Sequence, residues 1–484
     1  MSQRRIRGTQ HFVRPSPMDT LEGVRPVSTE PAWKPLMKAA LITAGGAGMF
    51  CGSCMQDNTL VRSLRRAGLD AVLVPTYTPI TVDEEDVSTD RIFLGGINVY
   101  LDSTVPGWKR LPGWMTGWLN HPALVRWLTR FSGGTNAAHL GSLTLDMLKG
   151  RRGPQRRELI QFCDYLCNEL QPDVIIFSNA LLSGVMSDLR DRFSGPVLCL
   201  LQGDDIFLEG LTDRWKPSVM KQLKTNCQAF DGFLVHSNYY REFMSGYLDQ
   251  PPTKFRVIPL TVDTVHDELP AESSATESKA DPRRLRFGYF ARICPEKGIH
   301  HLLQAASRIL PDFPEAEICV AGCLPQEHQA WFQQQLQLAQ QICPEQIHWL
   351  GSPPTREEKL RIIGSFDLLC VPTDYHEPKG IYVLEAGLLN VPSLLPDHGA
   401  FPELIRSLGT GHLYQPTSDH SSALATAIQE LCSNSRATGQ LFAVSESDET
   451  SLADRVHRDH GMDKTGQQVA DLLREIVALG RTSG

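Results

Sequence analysis

Two carboxylates in the stretch Glu377-Pro378-Lys379-Gly380-Ile381-Tyr382-Val383-Leu384-Glu385 are separated by seven residues, with a glycine between them. The apolar run Leu368-Leu369-Cys370-Val371-Pro372 before them reads as a buried strand. After Gly380, Ile381, Leu384 and Leu388 recur at i, i+3 and i+7, which reads as a helix. Glu377 then sits in a strand-to-helix loop, and Glu385 about one turn inside the helix. In an open parallel sheet such a loop lies at the carboxyl end of a strand, where ligands bind. Gly380 lets the backbone come close to a ligand. The helix start at Ile381 and Tyr382 offers N–H groups to an anion or a hydroxyl. Taken alone, the same pattern also fits two surface glutamates and a helix-start glycine.

A second stretch, Arg292-Ile293-Cys294-Pro295-Glu296-Lys297-Gly298, follows an expected strand from Leu285 to Phe290 and opens an expected helix from Glu296 to Leu310. Arg292 offers a planar fork for phosphate oxygens, and Lys297 a point charge. The plain alternative is a surface ion pair with Glu296. Together the two stretches resemble the retaining glycosyltransferases of family 4. The resemblance covers most of Lys38 to about Ser433 and is strongest from Leu285 to Glu403. It implies an α/β chain of the GT-B fold, two Rossmann-like domains facing across a cleft. It also implies that Arg292 and Lys297 hold a donor diphosphate, Glu377 the sugar hydroxyls and Glu385 the ribose hydroxyls. The sugar's anomeric configuration would be retained. The nucleotide-sugar is then a co-substrate, and no separate cofactor is expected. Two basic side chains can meet the charge growing on a diphosphate leaving group, so no divalent metal is required.

The rest of the chain must position these residues. With 484 residues, 41% hydrophobic and 21% charged, it suits two globular domains. A net charge of −8 gives no pull toward nucleic acid. Twelve cysteines without a regular framework read as reduced thiols. No apolar stretch spans a bilayer and no signal peptide is visible, so a cytoplasmic location is expected.

In chain order, residues 1–36 read as a disordered leader rich in arginine and proline, with Met37 as an alternative start. Residues 37–263 are expected to form the first Rossmann-like, acceptor-binding domain. Its first loop, Thr43 to Cys54, is rich in glycine but lacks the G-x-G-x-x-G spacing of NAD sites. Gly45, Gly46 and Gly48 are assigned to the cleft, near donor phosphates and acceptor. Cys51 and Cys54 form a C-x-x-C, open to three readings: loop-shaping thiols, half of a zinc site, or a redox pair at a helix start.

From Ser103 to Leu145 there is no acidic residue, but Trp108, Trp114, Trp118 and Trp127 stand among Lys109, Arg110, Arg126 and Arg130. This helical insert, about 103–150, uses its tryptophans as core, or against a membrane interface or lipid-linked acceptor. Gln202-Gly203-Asp204-Asp205 ends another strand. The paired carboxylates Asp204 and Asp205 are candidate acid/base or sugar-hydroxyl ligands, Asp205 the one assigned to catalysis, and Asp204 as a helix cap or loop ligand is the alternative. Many members of the family have a histidine near here, and Gln202 stands in its place.

Residues 264–284 read as a linker, 285–460 as the donor domain, and 461–484 as a terminal helix crossing back to the first domain. Gly351 ends a donor-domain strand where a nucleotide could approach. The expected partners are a nucleotide-sugar donor and a carbohydrate or lipid-linked acceptor, with peripheral membrane contact through 103–145 as a further reading. The competing class is a non-catalytic module that binds nucleotide-sugars.

Overall fold

The structure, a computed structural model, describes residues 36–45, 51–93, 137–264, 284–441 and 450–482. Nearly all of the leader, Gly46, Gly48, the tryptophan-rich part of the insert and nearly all of the linker lie outside the described residues.

The first domain runs β1 (Lys38–Thr43), α1 (Gly52–Arg66), β2 (Asp70–Pro75), α2 (Ala137–Leu148), α3 (Arg156–Asp164), β3 (Val174–Phe177), α4 (Met186–Arg190), β4 (Val197–Leu200), α5 (Asp204–Glu209), α6 (Lys216–Cys227), β5 (Gly232–Val235), α7 (Asn238–Leu248) and β6 (Phe255–Val257). Strands β3, β4 and β5 are buried along their whole length. Such unbroken apolar runs belong to parallel sheets covered on both faces. The six strands are parallel, in the order β2-β1-β3-β4-β5-β6.

The second domain runs β7 (Leu285–Phe290), α8 (Ile299–Ile309), β8 (Ala316–Ala321), α9 (Gln329–Ile342), β9 (Ile347–Trp349), α10 (Arg356–Gly364), β10 (Leu368–Cys370), α11 (Ile381–Leu388), β11 (Ser393–Pro396), α12 (Phe401–Leu408), β12 (His412–Tyr414) and α13 (His420–Thr438). Its six strands are also parallel, in the order β12-β11-β10-β7-β8-β9. The strand order reverses between β7 and β10. A parallel sheet opens a crevice at such a switch point, outside the carboxyl ends of the two strands. The Arg292–Lys297 loop leaves β7 and the Glu377–Gly380 loop leaves β10, so topology alone sets the two sequence signals side by side.

Helix α8 begins later than expected, at Ile299, because Pro295 to Lys297 form a single 3₁₀ turn that ends on the left-handed Gly298. Its apolar stripe of Ile299, Leu302, Leu303, Ala306 and Ile309 lies in the core. Helix α11 departs from the one-sided pattern expected of it. Every residue from Tyr382 to Leu388 is buried, and Gly387 lies against Val456. A short helix apolar on all sides belongs inside a domain.

Two last helices, α14 (Leu452–His460) and α15 (Met462–Thr482), close the chain. Val469, Ala470, Leu473 and Val477 of α15 share one core cluster with Leu41, Leu60, Leu64 and Leu73 of the first domain. Gly466 packs so closely on α1 that a side chain there would strike the Ser63 carbonyl at 2.4 Å. No described helix is long and apolar enough to cross a membrane.

Candidate functional site

Gly298 and Gly380 set the local geometry. Gly298 has φ +71°, and a Cβ there would sit 1.6 Å from the Pro372 carbonyl oxygen. The 3₁₀ turn therefore lies flush on the end of β10. Gly380 has φ +76° and is the N-cap of α11. Only glycine takes this left-handed region without strain, and it turns the loop directly into the helix. The helix start presents the Ile381 and Tyr382 N–H groups, which have no partner within the helix.

Across this junction the Lys297 Nζ lies 2.6 Å from Glu377 Oε2. The same oxygen accepts hydrogen bonds from the Tyr382 hydroxyl at 3.0 Å and the Tyr375 hydroxyl at 3.1 Å. Both rings also stand 4.9 Å from the ammonium. Burial works to raise the Glu377 pKa, but the Lys297 charge and the two hydroxyls hold it below the ordinary value. Arg292 is exposed beside this group and has no carboxylate partner among the described residues. The site thus pairs a buried, ionised carboxylate with two cations at a helix start, which can hold hydroxyls and a polyanion respectively.

Glu385 is buried one turn into α11, with Oε1 2.9 Å from the Lys359 ammonium. Lys359 also pairs with Asp83 of the first domain. The carboxylate is therefore neutralised by a lysine that gave no signal in the sequence. Gly351 has φ +87°, yet nothing lies within 4 Å of where its side chain would be. The close backbone approach in this region is instead at Gly322, whose Cβ would meet the Ala291 carbonyl at 1.9 Å.

Asp205 does not join this group. Its Oδ1 accepts from the Tyr240 hydroxyl at 2.6 Å, while Asp204 ties the loop by accepting from the Ala180 and Gln202 amides at 2.6 and 3.1 Å. The first-domain side chains that face Glu377's loop are others. Lys379 Nζ donates to Gln202 Oε1 at 2.7 Å and to Ser53 Oγ at 3.1 Å. Gln202 Nε2 in turn donates to Asp57 Oδ1 at 2.7 Å. Burial raises the Asp57 pKa to about 6 and lowers that of Lys379. His236 is half-buried nearby, and loss of water around the ring first, then the Lys379 charge, lower its pKa to about 3. Asp57, Gln202, His236 and Lys379 form a polar seam at the boundary of the two domains. Sequence reasoning missed Asp57, Lys379 and His236 as a group, because their chain separations carry no periodic signal.

The domains meet at further points. Glu403 of α12 accepts from the Asn238 and Tyr239 amides at 2.9 and 2.6 Å, capping the start of α7 with a carboxylate from the other domain. Ser237 donates to the Pro378 carbonyl at 3.3 Å. Arg62 bridges Asp263 at 2.7 Å and Glu84 at 3.1 Å, and Arg356 donates to the Asp263 carbonyl at 2.8 Å. Among the described residues, one cluster has the donor set of a metal site: His300, His301 and Asp374 place one ligand atom each within 4.8 Å of one another. It contains no cysteine, so the zinc reading of Cys51 and Cys54 finds no completing ligands there.

This geometry can be compared with known proteins. Residues 272–441 match the family described as glycosyl transferases group 1. The matched region holds both loops of the switch point. Alpha-maltose-1-phosphate synthase of Mycolicibacterium smegmatis is 28% identical over 218 residues, 43% of this chain and 55% of that protein. The match thus spans about half the length of this curated relative. Sucrose-phosphate synthase from Thermosynechococcus elongatus superposes with a TM-score of 0.63 at 16% identity, covering 92% of this chain and all of the other. Anabaena HepE, in complex with UDP and glucose, superposes with a TM-score of 0.58 at 15% identity, covering 91% of this chain and all of HepE. At these identities the structures establish the fold: the chain has the two-domain GT-B architecture around its group 1 region.

Proposed function

We propose that this protein transfers a hexose from a nucleotide-diphosphate sugar to an acceptor hydroxyl, with retention of anomeric configuration. The observation that carries the reading is the Lys297–Glu377 pair, 2.6 Å apart at the switch point of a group 1 glycosyl transferase domain. In this reading Arg292, Lys297 and the start of α11 meet the negative charge that grows on the departing diphosphate. Glu377, held ionised, accepts from sugar hydroxyls and orients the reacting carbon. Glu385, neutralised by Lys359, accepts from the ribose. The cations serve the leaving group, so the reaction proceeds without a divalent metal. HepE's complex with UDP and glucose supports a uridine nucleotide as the first donor to try.

The test is release of nucleoside diphosphate from a panel of UDP-, GDP- and ADP-sugars, followed with and without broad mixtures of sugar and lipid-linked acceptors. Turnover with one donor supports the reading, and a thermal shift without turnover on any acceptor overturns it. That second outcome is the one expected of a non-catalytic nucleotide-sugar module. It has one structural observation in its favour: Gln202 faces the second domain where the family resemblance leads one to expect a histidine, and its amide is already committed to Asp57 and Lys379.

A further inference from the structure

The C-x-x-C of the first domain plays no part in the proposed sugar transfer, yet its surroundings are those of a reactive thiol. Cys51 is the N-cap of α1, a helix of 15 residues, and Cys54 lies in its first turn. Cys51 is partly exposed, whereas Cys54 is only 2% exposed. The residue between them, Ser53, accepts a hydrogen bond from the Lys379 ammonium at 3.1 Å. A helix N-terminus, a neighbouring lysine and a C-x-x-C spacing each favour a thiolate, and here all three coincide. The neighbouring Cys54 thiol has the largest effect. It lowers the Cys51 pKa, with help from the Cys54 and Ser53 amides and the Lys379 charge against the effect of burial. The Cys51 thiol, together with burial, in turn raises the Cys54 pKa.

We propose that Cys51 and Cys54 form a redox-active dithiol, with Cys51 as the attacking thiolate and Cys54 as the resolving thiol. With a small disulfide such as oxidised glutathione, the Cys51 thiolate attacks one sulfur and the glutathione S–S bond breaks. A mixed disulfide forms and one glutathione thiolate leaves. The Cys54 sulfur then gives up its proton and attacks the Cys51 sulfur. The mixed disulfide breaks, and the second glutathione leaves with that proton. One thiolate and one thiol of the protein become a disulfide, and oxidised glutathione departs as one thiolate and one thiol. Two electrons pass from protein to glutathione. Oxidation removes the negative charge that faces Lys379. Lys379 lies on the loop that carries Glu377, so the boundary between the domains registers the state of the pair. The proposal does not depend on sugar transfer.

The experiment equilibrates the full chain in glutathione buffers of graded oxidation, quenches with acid, alkylates and maps disulfides by mass spectrometry. A Cys51–Cys54 disulfide should form before any other. Cys54→Ala should accumulate a mixed disulfide of Cys51 with glutathione, while Cys51→Ala should leave Cys54 reduced. Iodoacetamide should alkylate Cys51 with a midpoint below pH 7, and Lys379→Met should raise that midpoint by about one pH unit. Should Lys379→Met fail to fold by circular dichroism, the wild-type alkylation profile and the cysteine variants decide the matter alone. A wild-type midpoint near the ordinary thiol value of about 8.5, or no Cys51–Cys54 disulfide in fully oxidised glutathione, overturns the proposal.

Discussion

At the scale of single residues, two features can be tested: the Lys297–Glu377 ion pair of the site and the half-buried imidazole of His236 in the seam between the domains. Lys297→Ala removes a cation from the proposed leaving-group site, and turnover should fall by roughly 10²–10³-fold in a nucleoside-diphosphate release assay. Because the change also leaves Glu377 buried without its partner, a stability loss of about 3–5 kcal/mol is expected beside it. Lys297→Arg keeps the charge, and thermal melts of both variants separate loss of fold from loss of chemistry. His236 gives a pH signature. Its folded pKa of about 3 lies below the value of ~6.5 for an unfolded chain, so the unfolded state takes up the proton first. The stability this supplies is complete above pH 6.5 and declines as the pH falls toward 3, by about 1.4 kcal/mol at pH 5.5. His236→Gln should flatten that part of the curve in urea denaturation. Arg292, Lys297 and Glu377 were legible in the sequence because their loops are bracketed by strand and helix patterns. Asp57 and Lys379 were not, since their contacts join residues more than 100 positions apart through Gln202.

At the scale of elements, glycines decide how strands pass into helices. Gly298 combines a left-handed φ with a backbone oxygen 1.6 Å from where its side chain would start. Gly298→Ala should cost about 2–4 kcal/mol in urea unfolding and displace the Lys297 turn from β10. Gly351 has the same handedness with open space around it. Gly351→Ala should cost only the strain of the conformation, about 1–2 kcal/mol. Equal costs at the two positions would remove the claim that close packing, rather than φ alone, seats the loop. Strand and helix order was readable from apolar periodicity. The full burial of α11 was not, because Gly387 is covered by Val456 of α14, a helix that begins some 65 residues further along the chain. Nor could periodicity show that α12 caps α7 through Glu403, a contact between domains.

At the scale of the molecule, the chain closes on itself. Helix α15 fills the core of the first domain with Val469, Leu473 and Val477. Three such side chains at ~1.5–3 kcal/mol each give about 5–9 kcal/mol. That is comparable with the whole stability of an ordinary domain, about 5–15 kcal/mol. Truncation after Gly461 should therefore yield aggregated or protease-sensitive protein, and a soluble, cooperatively melting truncation would contradict this packing. The amino-acid sequence by itself determined two things: the alternation of strands and helices, and the residue types able to hold a charged, hydroxyl-rich ligand. Both are local, set by side-chain period and by what each group can donate or accept. Only the tertiary structure decided that the two loops flank one switch point, that Lys359 neutralises Glu385, and that Gln202 and Lys379 join the domains. Those outcomes depend on strand order and on burial by distant segments, where removal from water fixes both which charges must pair and how strongly each proton is held.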